Sequence, residues 1–281
     1  GAFQAGLNAL TRLTSGKVYL AIDSDAKTPG LTGAAQVEVH AFQGPHPAGN
    51  TSTHIHTLDP IAPGDTVWTI RVEDVVLYGE LLLNGQLPTH KIVAAGGPEL
   101  PKELCAHYRI RVGASIATAF SSELDPKAVR VVRGDVLAGD PVDVDSGVTL
   151  TSSSYVVLQD DKERHFMGWL APGLNKFTAS KAFVSPWLGG LNREWSLGTN
   201  RNGSLRAMVL TGKYDKVVPL DILVDYLVRA CISHDTDDAV SLGILGTDPE
   251  DFALCSVICP SKTDFSFFIQ RALNEIEKEG L

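Results

Sequence analysis

The sequence predicts an α/β layer, then a small α+β domain, and then a C-terminal helical region. Three observations lead to this prediction. The chain begins with a helical pattern followed by short strands, an order of elements that is typical of an α/β layer. A Gly-Gly-Pro break at 96–98 precedes several short strands with one short helix. Beyond a Gly-, Asn- and Ser-rich connector at 171–205, apolar residues recur at helical spacing. The predicted domains are therefore residues 1–97, 98–170 and 171–281.

The first domain is predicted from the spacing of its apolar residues. Phe3, Leu7, Leu10 and Leu13 repeat at helical intervals. A second helical pattern runs over 72–83 and ends at Asn84-Gly85, where glycine allows the chain to turn. Short β-type runs with alternating or continuous apolar residues predict strands at 17–22, 36–42 and 66–71.

The later elements are predicted in the same way. Strands are predicted at 91–95, 108–112, 129–132, 150–158 and 165–170, with a turn-rich segment at 135–145 and a hairpin tip at 160–162. Helices are predicted at 116–120, 220–232, 235–245, from 249 and over 265–276. Ser115, Asp235 and Asp248 are the expected N-terminal caps of three of these helices, because short polar side chains accept hydrogen bonds from free backbone amides.

Composition excludes several classes of protein. The chain has 281 residues and a net charge of −9, which disfavours binding to nucleic acid or adsorption to an anionic membrane surface. Four cysteines are too few for a secreted disulfide scaffold and indicate a reducing, cytosolic setting. No run of about 20 apolar residues predicts a membrane helix. The sequence begins inside a helical pattern at Gly1, without Met, so we expect a fragment that lacks its N-terminal region.

Residues 44–60, GPHPAGNTSTHIHTLDP, form a polar stretch that holds three of the eight histidines. His54 and His56 would share one face of a strand. With His46 or Asp59 they could bind zinc, which takes three or four nitrogen, sulfur or oxygen ligands. The alternative is a polar loop whose histidines bond to backbone. No matched third or fourth ligand appears at a usable spacing, so no metal-binding residue is assigned.

The same stretch could hold an anionic or quinone-like ligand, with Asn50, Thr51 and Ser52 as hydrogen-bond donors. The alternative is a structured connector. We predict Gly49, Asn50, His54 and His56 as contacts of a ligand or a partner.

Other candidate motifs are incomplete. Cys255 and Cys259 are followed by Pro260, but an iron–sulfur cluster of the ferredoxin type needs four cysteines, so buried free thiols are expected. The acidic run at 235–238 lacks the glycine and glutamate of a calcium loop and is expected to cap a helix. The sequence contains no glycine-rich phosphate loop and no G-x-S-x-G motif. No catalytic or cofactor-binding residue is assigned.

Residues 44–60 also resemble a known family, the A subunit of the sodium-translocating NADH:quinone reductase. Further segments resemble that family in the same order along the chain. They are 67–76 (VWTIRVEDVV), 94–98 (AAGGP), 109–116 (RIRVGASI), 131–139 (VVRGDVLAG), 168–169 (GW) with 172–173 (PG) and 176–177 (KF), 206–214 (RAMVLTGKY), 218–222 (VPLDI), 235–239 (DTDDA), 249–262 (PEDFALCSVICPSK) and 276–280 (IEKEG). The resemblance extends from about residue 36 to the C-terminus. The segments are specific for the family when taken together and in order, whereas no single segment would be.

The resemblance implies a fold. The family is related to the NADH-binding flavoprotein subunit of complex I. By that relation residues 1–97 would be part of a Rossmann-like layer and residues 98–170 a soluble-ligand-binding β-grasp domain. The helical tail would correspond to the domain that carries a cluster in the flavoprotein relatives. This sequence lacks their flavin loop and their four cluster cysteines. Neither group is therefore expected here.

The resemblance also implies a function: a peripheral subunit on the cytoplasmic side of the inner membrane, without its own redox cofactor. The complex would use NADH, flavins, iron–sulfur centres and quinone. Its other subunits, including membrane subunits, would be the partners, with the surface around Trp187 and Trp195 as a contact. Quinone binding is a further expectation. The alternatives are a free-standing flavin-dependent NADH:acceptor oxidoreductase, which needs a phosphate cradle, and a module that binds quinone through the β-grasp domain or the 44–60 loop.

Overall fold

A computed structural model describes residues 1–62, 64–120, 124–125, 128–161, 166–168, 170–179, 181–189 and 195–280. The helices are α1 (Ala2–Leu13), α2 (Pro29–Thr32), α3 (Thr51–Leu58), α4 (Val72–Asn84), α5 (Ala117–Phe120), α6 (Ser185–Gly189), α7 (Val224–Ser233), α8 (Thr236–Ser241), α9 (Ala253–Ile258) and α10 (Phe265–Glu279). The strands are β1 (Tyr19–Asp23), β2 (Glu38–Phe42), β3 (His90–Gly96), β4 (His107–Arg111), β5 (Val129–Arg133), β6 (Asp140–Val142) and β7 (Ser154–Gln159).

The chain folds into two units, and each combines separated parts of the sequence. The first unit comprises Gly1–Thr89, Thr211–Phe252 and Phe265–Leu281. The second comprises His90–Leu210 and Ala253–Asp264. The C-terminal helices therefore contribute to both units, with α9 in the second and α7, α8 and α10 in the first.

The first unit opens as an α/β layer. Strands β1 and β2 pair in parallel, with Tyr19 opposite Glu38 and Asp23 opposite Phe42. Parallel neighbours need a crossover connection, and the link between these strands contains α2. The predicted first helix and the predicted strands at 17–22 and 36–42 are confirmed within two residues at their ends.

Glycines allow α1 and α4 to cross at close range. A Cβ atom added to Gly79 would lie 1.8 Å from the carbonyl oxygen of Ala2. One added to Gly6 would lie 2.3 Å from the carbonyl oxygen of Val75. Ala2 and Gly6 are one turn apart on α1, as are Val75 and Gly79 on α4, so each pair shares one helix face. The two backbones touch where a side chain would separate them.

The C-terminal part of the first unit contributes fully buried side chains. They are Leu227 and Val228 of α7, Ile269 of α10, and Ile244 and Phe252 between the α-helices. The apolar repeat of α10 predicts this, because residues spaced three and four apart share one face of a helix. Asp235 accepts a hydrogen bond from the Asp238 amide at 3.0 Å, which confirms the predicted cap of α8.

The second unit contains a five-stranded mixed sheet in the order β4-β3-β7-β5-β6. Only the β3–β7 pair among these neighbours is parallel. Alternate residues of the strands enter one core, as their period of two requires. That core consists of Val93, Ala95, Leu100, Ile110, Ile116, Val131, Val148, Tyr155 and Val157. Ser115 accepts a hydrogen bond from the Ala117 amide at 3.1 Å, as the predicted cap of the short helix requires.

Three predictions about local structure are wrong. Residues 66–71 form no strand in the described part of the chain, and Trp68 is 90% exposed. β-branched and aromatic residues favour a strand only where a neighbouring strand can pair with it. Residues 51–58 form α3 rather than an irregular loop. In the predicted strand 165–170, residues 166–168 and 170 form turns, while 165 and 169 lie outside the described residues.

Other boundaries differ for local reasons. The predicted strand 150–158 begins only at Ser154, because Thr149 and Ser152 close a hydroxyl-bonded turn before it. The predicted helix 220–232 begins at Val224, after Pro219 and a tight backbone turn from Leu220 to Ile222. The predicted helix 235–245 ends at Ser241, since Gly243 has a φ of 93°, which a helix does not continue through. The predicted tip at 160–162 includes residue 162, which lies outside the described residues.

Among the residues that the structure describes, no helix has both the length and the apolar character needed to cross a membrane.

The close α1–α4 contact predicts that a side chain at Gly79 will lower the free energy of unfolding. Gly79→Ala would place a methyl group against the Ala2 carbonyl, where backbone must move to admit it. We expect a loss of about 1–3 kcal/mol in the free energy of unfolding, measured by urea denaturation. Gly30→Ala is the matched control, because a Cβ there has nothing within 4 Å. Equal stability of the two variants would show that the helices are not in this close contact.

Candidate functional site

Helix α3 begins at Asn50, directly after the glycine- and proline-rich part of residues 44–60. The Asn50 carbonyl accepts the first helical hydrogen bond, from the His54 amide at 3.1 Å. The Asn50 side chain does not cap its own helix. Its amide group points to the C-terminal part of the same unit instead, and this determines the geometry of the candidate site.

A buried carboxyl group, that of Asp251, receives the side chains from the start of α3. Asp251 is 1% exposed. Its Oδ1 accepts hydrogen bonds from Asn50 Nδ2 at 3.1 Å and from Ser52 Oγ at 2.5 Å. Its Oδ2 accepts one from the Asp248 amide at 2.9 Å. Both oxygens of this buried group are therefore satisfied, as burial requires.

His54 is held by one contact inside the 44–60 stretch and by one with the end of β2. Its Nε2 donates a hydrogen bond to the Ala48 carbonyl at 3.0 Å. Its ring packs on Phe42 at 4.2 Å between centroids, with the planes tilted by 41°. Burial lowers the pKa of His54 below its ordinary value of 6.5, and the hydrogen bond to Ala48 opposes this only in part. His54 therefore favours the neutral form.

His56 does not share a face with His54. Successive residues of an α-helix are rotated by about 100°, so side chains two apart point to nearly opposite sides. The same-face arrangement expected from a strand is therefore wrong, because the segment is helical. His56 is half-buried, and its Nδ1 lies beside Gly246. The described residues contain no group of three or more His, Cys, Asp or Glu side chains able to hold a metal ion.

Gly49 lies in an open position. It is exposed, and a Cβ atom added there would have nothing within 4 Å. Of the four predicted contact residues, Asn50 and His54 thus have partners inside the protein, while Gly49 leaves room for an external one. Sequence reasoning assigned Asn50 and Ser52 as ligand donors and missed Asp251, the internal group that they bind.

The second unit has a separate cleft of about 730 Å³. Apolar side chains of β5, β6 and their neighbours form much of its lining, and Arg130 and Asp160 form an ion pair there with a 2.7 Å contact. Its lining residues are Ala117, Leu124, Val129, Arg130, Val131, Pro141, Val142, Asp143, Val144, Asp145 and Asp160. Four charged side chains, Arg130, Asp143, Asp145 and Asp160, also line it, so the cleft lacks the predominantly apolar lining that is typical of small-molecule sites.

Comparisons with known proteins match both units. A family model described as the NqrA second alpha/beta domain matches residues 1–87, and one described as the NQRA C-terminal domain matches residues 92–143. Three similar proteins are each named as the A subunit of the Na(+)-translocating NADH-quinone reductase. The one from Saccharophagus degradans is 40% identical, that from Pasteurella multocida 38% and that from Rhodopirellula baltica 39%. Each alignment covers 99% of this chain, and 62%, 61% and 60% of the respective relatives.

The chain belongs to the NqrA family. It spans about three fifths of the length of these relatives. The match to the NqrA second alpha/beta domain includes the whole 44–60 stretch, and the match to the NqrA C-terminal domain includes most of the cleft lining. Both candidate sites therefore lie on family domains.

The four cysteines of this NqrA family member form no disulfide bonds. Cys255 and Cys259 are buried, which confirms the burial expected for these two thiols. Cys231 is also buried, while Cys105 is exposed. Burial raises the pKa of the Cys231 thiol to about 11, so it stays protonated and unreactive near neutral pH.

His54 makes a prediction about pH dependence. Its pKa is lowered in the folded state, so the unfolded chain takes up a proton first as the pH falls. The stability due to neutral His54 is present above the ordinary value of 6.5 and is lost as the pH falls toward the lowered folded value. We expect His54→Gln to lose less unfolding free energy than the wild type between about pH 7.5 and about pH 5.5. Urea denaturation at both pH values measures this.

The matched control is His46→Gln, which removes an exposed imidazole from the same stretch. If His54→Gln lost as much unfolding free energy as the wild type between about pH 7.5 and about pH 5.5, the burial of His54 would be contradicted.

Proposed function

We propose that this chain is part of a peripheral subunit of a sodium-translocating NADH:quinone reductase, on the cytoplasmic side of the inner membrane. Its role there is to support assembly of the complex. The observation that carries this proposal is the 38–40% identity to named A subunits over 99% of the chain. Partners would be the other subunits, including membrane subunits. The net charge of −9 argues against nucleic acid as a partner.

The proposal includes a finer assignment of the fold. The parallel β1–β2 pair with its crossover supports a partial Rossmann-like layer in residues 1–97. The mixed sheet around β3, β7 and β5 supports a β-grasp domain over 98–170. Residues 171–281 would be the connector and the helical domain.

We further propose that the chain binds no redox cofactor of its own, and that NADH, flavins and iron–sulfur centres belong to other subunits. The sequence supports this. A dinucleotide or flavin needs a glycine-rich loop at a helix N-terminus, and a ferredoxin-type cluster needs four cysteine ligands. The sequence has neither the loop nor a four-cysteine motif.

Quinone binding is a proposal for the 44–60 stretch, with Gly49, Asn50, His54 and His56 as its contacts. His56 is the strongest candidate among them. Asn50 and His54 already donate to Asp251 and Ala48, so a ligand would have to compete for them. An imidazole N–H of His56 could donate to a quinone carbonyl. The cleft beside Val131 and Val142 is the other candidate for the quinone ring.

Complementation tests the proposal. Membranes that lack the A subunit of the reductase receive the wild-type protein or His56→Ala, and sodium-dependent quinone reduction by NADH is measured. We expect the wild-type protein to restore activity. His56→Ala should raise the KM for quinone about two- to tenfold and leave kcat unchanged, as the loss of one hydrogen bond predicts.

His46→Ala serves as the control, because it removes an exposed histidine from the same stretch. Absence of activity with wild-type protein would contradict the assignment to the complex. Restored activity with an unchanged KM in His56→Ala would remove His56 as a quinone contact and leave the assignment standing.

A further inference from the structure

The 172–187 loop is described by the structure at residues 172–179 and 181–187, and these residues are joined by internal contacts. The Val184 amide donates to the Pro172 carbonyl at 3.0 Å and closes the loop. The buried Ser185 hydroxyl donates to the Lys176 carbonyl at 2.6 Å. Gly173 has a φ of 67°, and a Cβ there would lie 2.4 Å from the ring of Phe183. These contacts hold the loop without regular secondary structure over most of its length.

The 172–187 loop exposes large apolar side chains. Trp187 is 77% exposed, and Leu174, Phe177 and Val184 are also exposed. The Phe177 ring meets Trp195 edge-on at 6.0 Å between centroids. Exposed apolar groups gathered on one loop are typical of an interaction surface, whereas single ones are ordinary.

The charge of this loop is opposite to that of the whole protein. Lys176 and Lys181 are its charged residues, and the sequence from 172 to 187 contains no aspartate or glutamate. The wider segment 166–210 has five lysine or arginine residues and one glutamate, whereas the chain has 24 basic and 33 acidic residues. An acidic surface is therefore attracted to this loop and repelled by most of the remaining sequence.

We propose that the 172–187 loop docks on an apolar, acidic face of another subunit of the reductase, with Trp187 as the central contact. This inference rests on the proposed function. Protein interfaces typically have aromatic residues at their centre and polar residues around them, and Trp residues often contribute most of the binding energy. The exposed aromatic residues of this loop, with Lys176 and Lys181 beside them, fit that arrangement. A membrane surface fits less well. Two lysines give weak attraction to anionic lipid, and an interfacial anchor usually needs a long amphipathic helix, whereas α6 spans only Ser185–Gly189.

The test measures binding to the purified remaining subunits of the reductase, immobilised in detergent. Trp187→Ser should raise the Kd at least about tenfold, as expected for a central aromatic contact. The pair Lys176→Glu and Lys181→Glu should raise the Kd and weaken its dependence on salt. Trp68→Ser is the matched control, since Trp68 is exposed in the first unit, and its Kd should equal that of the wild type. Unchanged thermal melting would show that each variant is folded.

The outcomes separate this inference from the proposed function. Tight wild-type binding with no effect of Trp187→Ser or of the charge reversals would overturn the docking surface and leave the assignment to the complex intact. No binding of the wild-type protein to the other subunits would overturn both. A third outcome would identify a membrane contact and overturn the protein partner. In it, the wild-type protein co-sediments with vesicles that contain anionic phospholipid and Trp187→Ser does not, while the affinity for the other subunits is unchanged.

Discussion

The buried carboxyl group of Asp251 connects two parts of the first unit that are 201 residues apart in sequence. Burying such a group costs free energy unless hydrogen bonds replace its water. Asn50, Ser52 and the Asp248 amide supply those bonds. The start of α3 is thereby fixed to the turn that precedes α9. Without this acceptor, the buried Asn50 side chain would lose its only long-range partner among the contacts described for it.

The same contact decides what the 44–60 stretch can offer to a ligand. The donors Asn50 and Ser52 already form hydrogen bonds to Asp251, and His54 donates one to the Ala48 carbonyl. Of the other two predicted contact residues, Gly49 is exposed and His56 is half-buried. The docking surface proposed for the second unit is of another kind, because its central residue, Trp187, is mostly exposed and has little role in packing.

Local chemistry made much of the fold predictable. The apolar repeats of α1, α4 and α10 and the cap at Asp235 are properties of a few adjacent residues, and the structure agrees with them. Such local patterns do not indicate which distant residues will pair. The 66–71 segment has strand-forming residues but no strand partner in the described chain, and α3 lacks the apolar stripe that marks a helix in sequence. The Asp251 network joins residues about 200 positions apart, so no local signal could indicate it.

A double-mutant cycle between Asn50 and Asp251 tests the central contact most directly. Unfolding free energies of Asn50→Ala, Asp251→Ala and the double variant are measured by urea denaturation. A direct contact predicts a coupling energy of about 0.5–3 kcal/mol. The same cycle with the exposed Glu277→Ala should be additive within about 0.5 kcal/mol. Additive effects for Asn50 and Asp251 would contradict the contact and, with it, the attachment of the 44–60 stretch to the C-terminal part of the first unit.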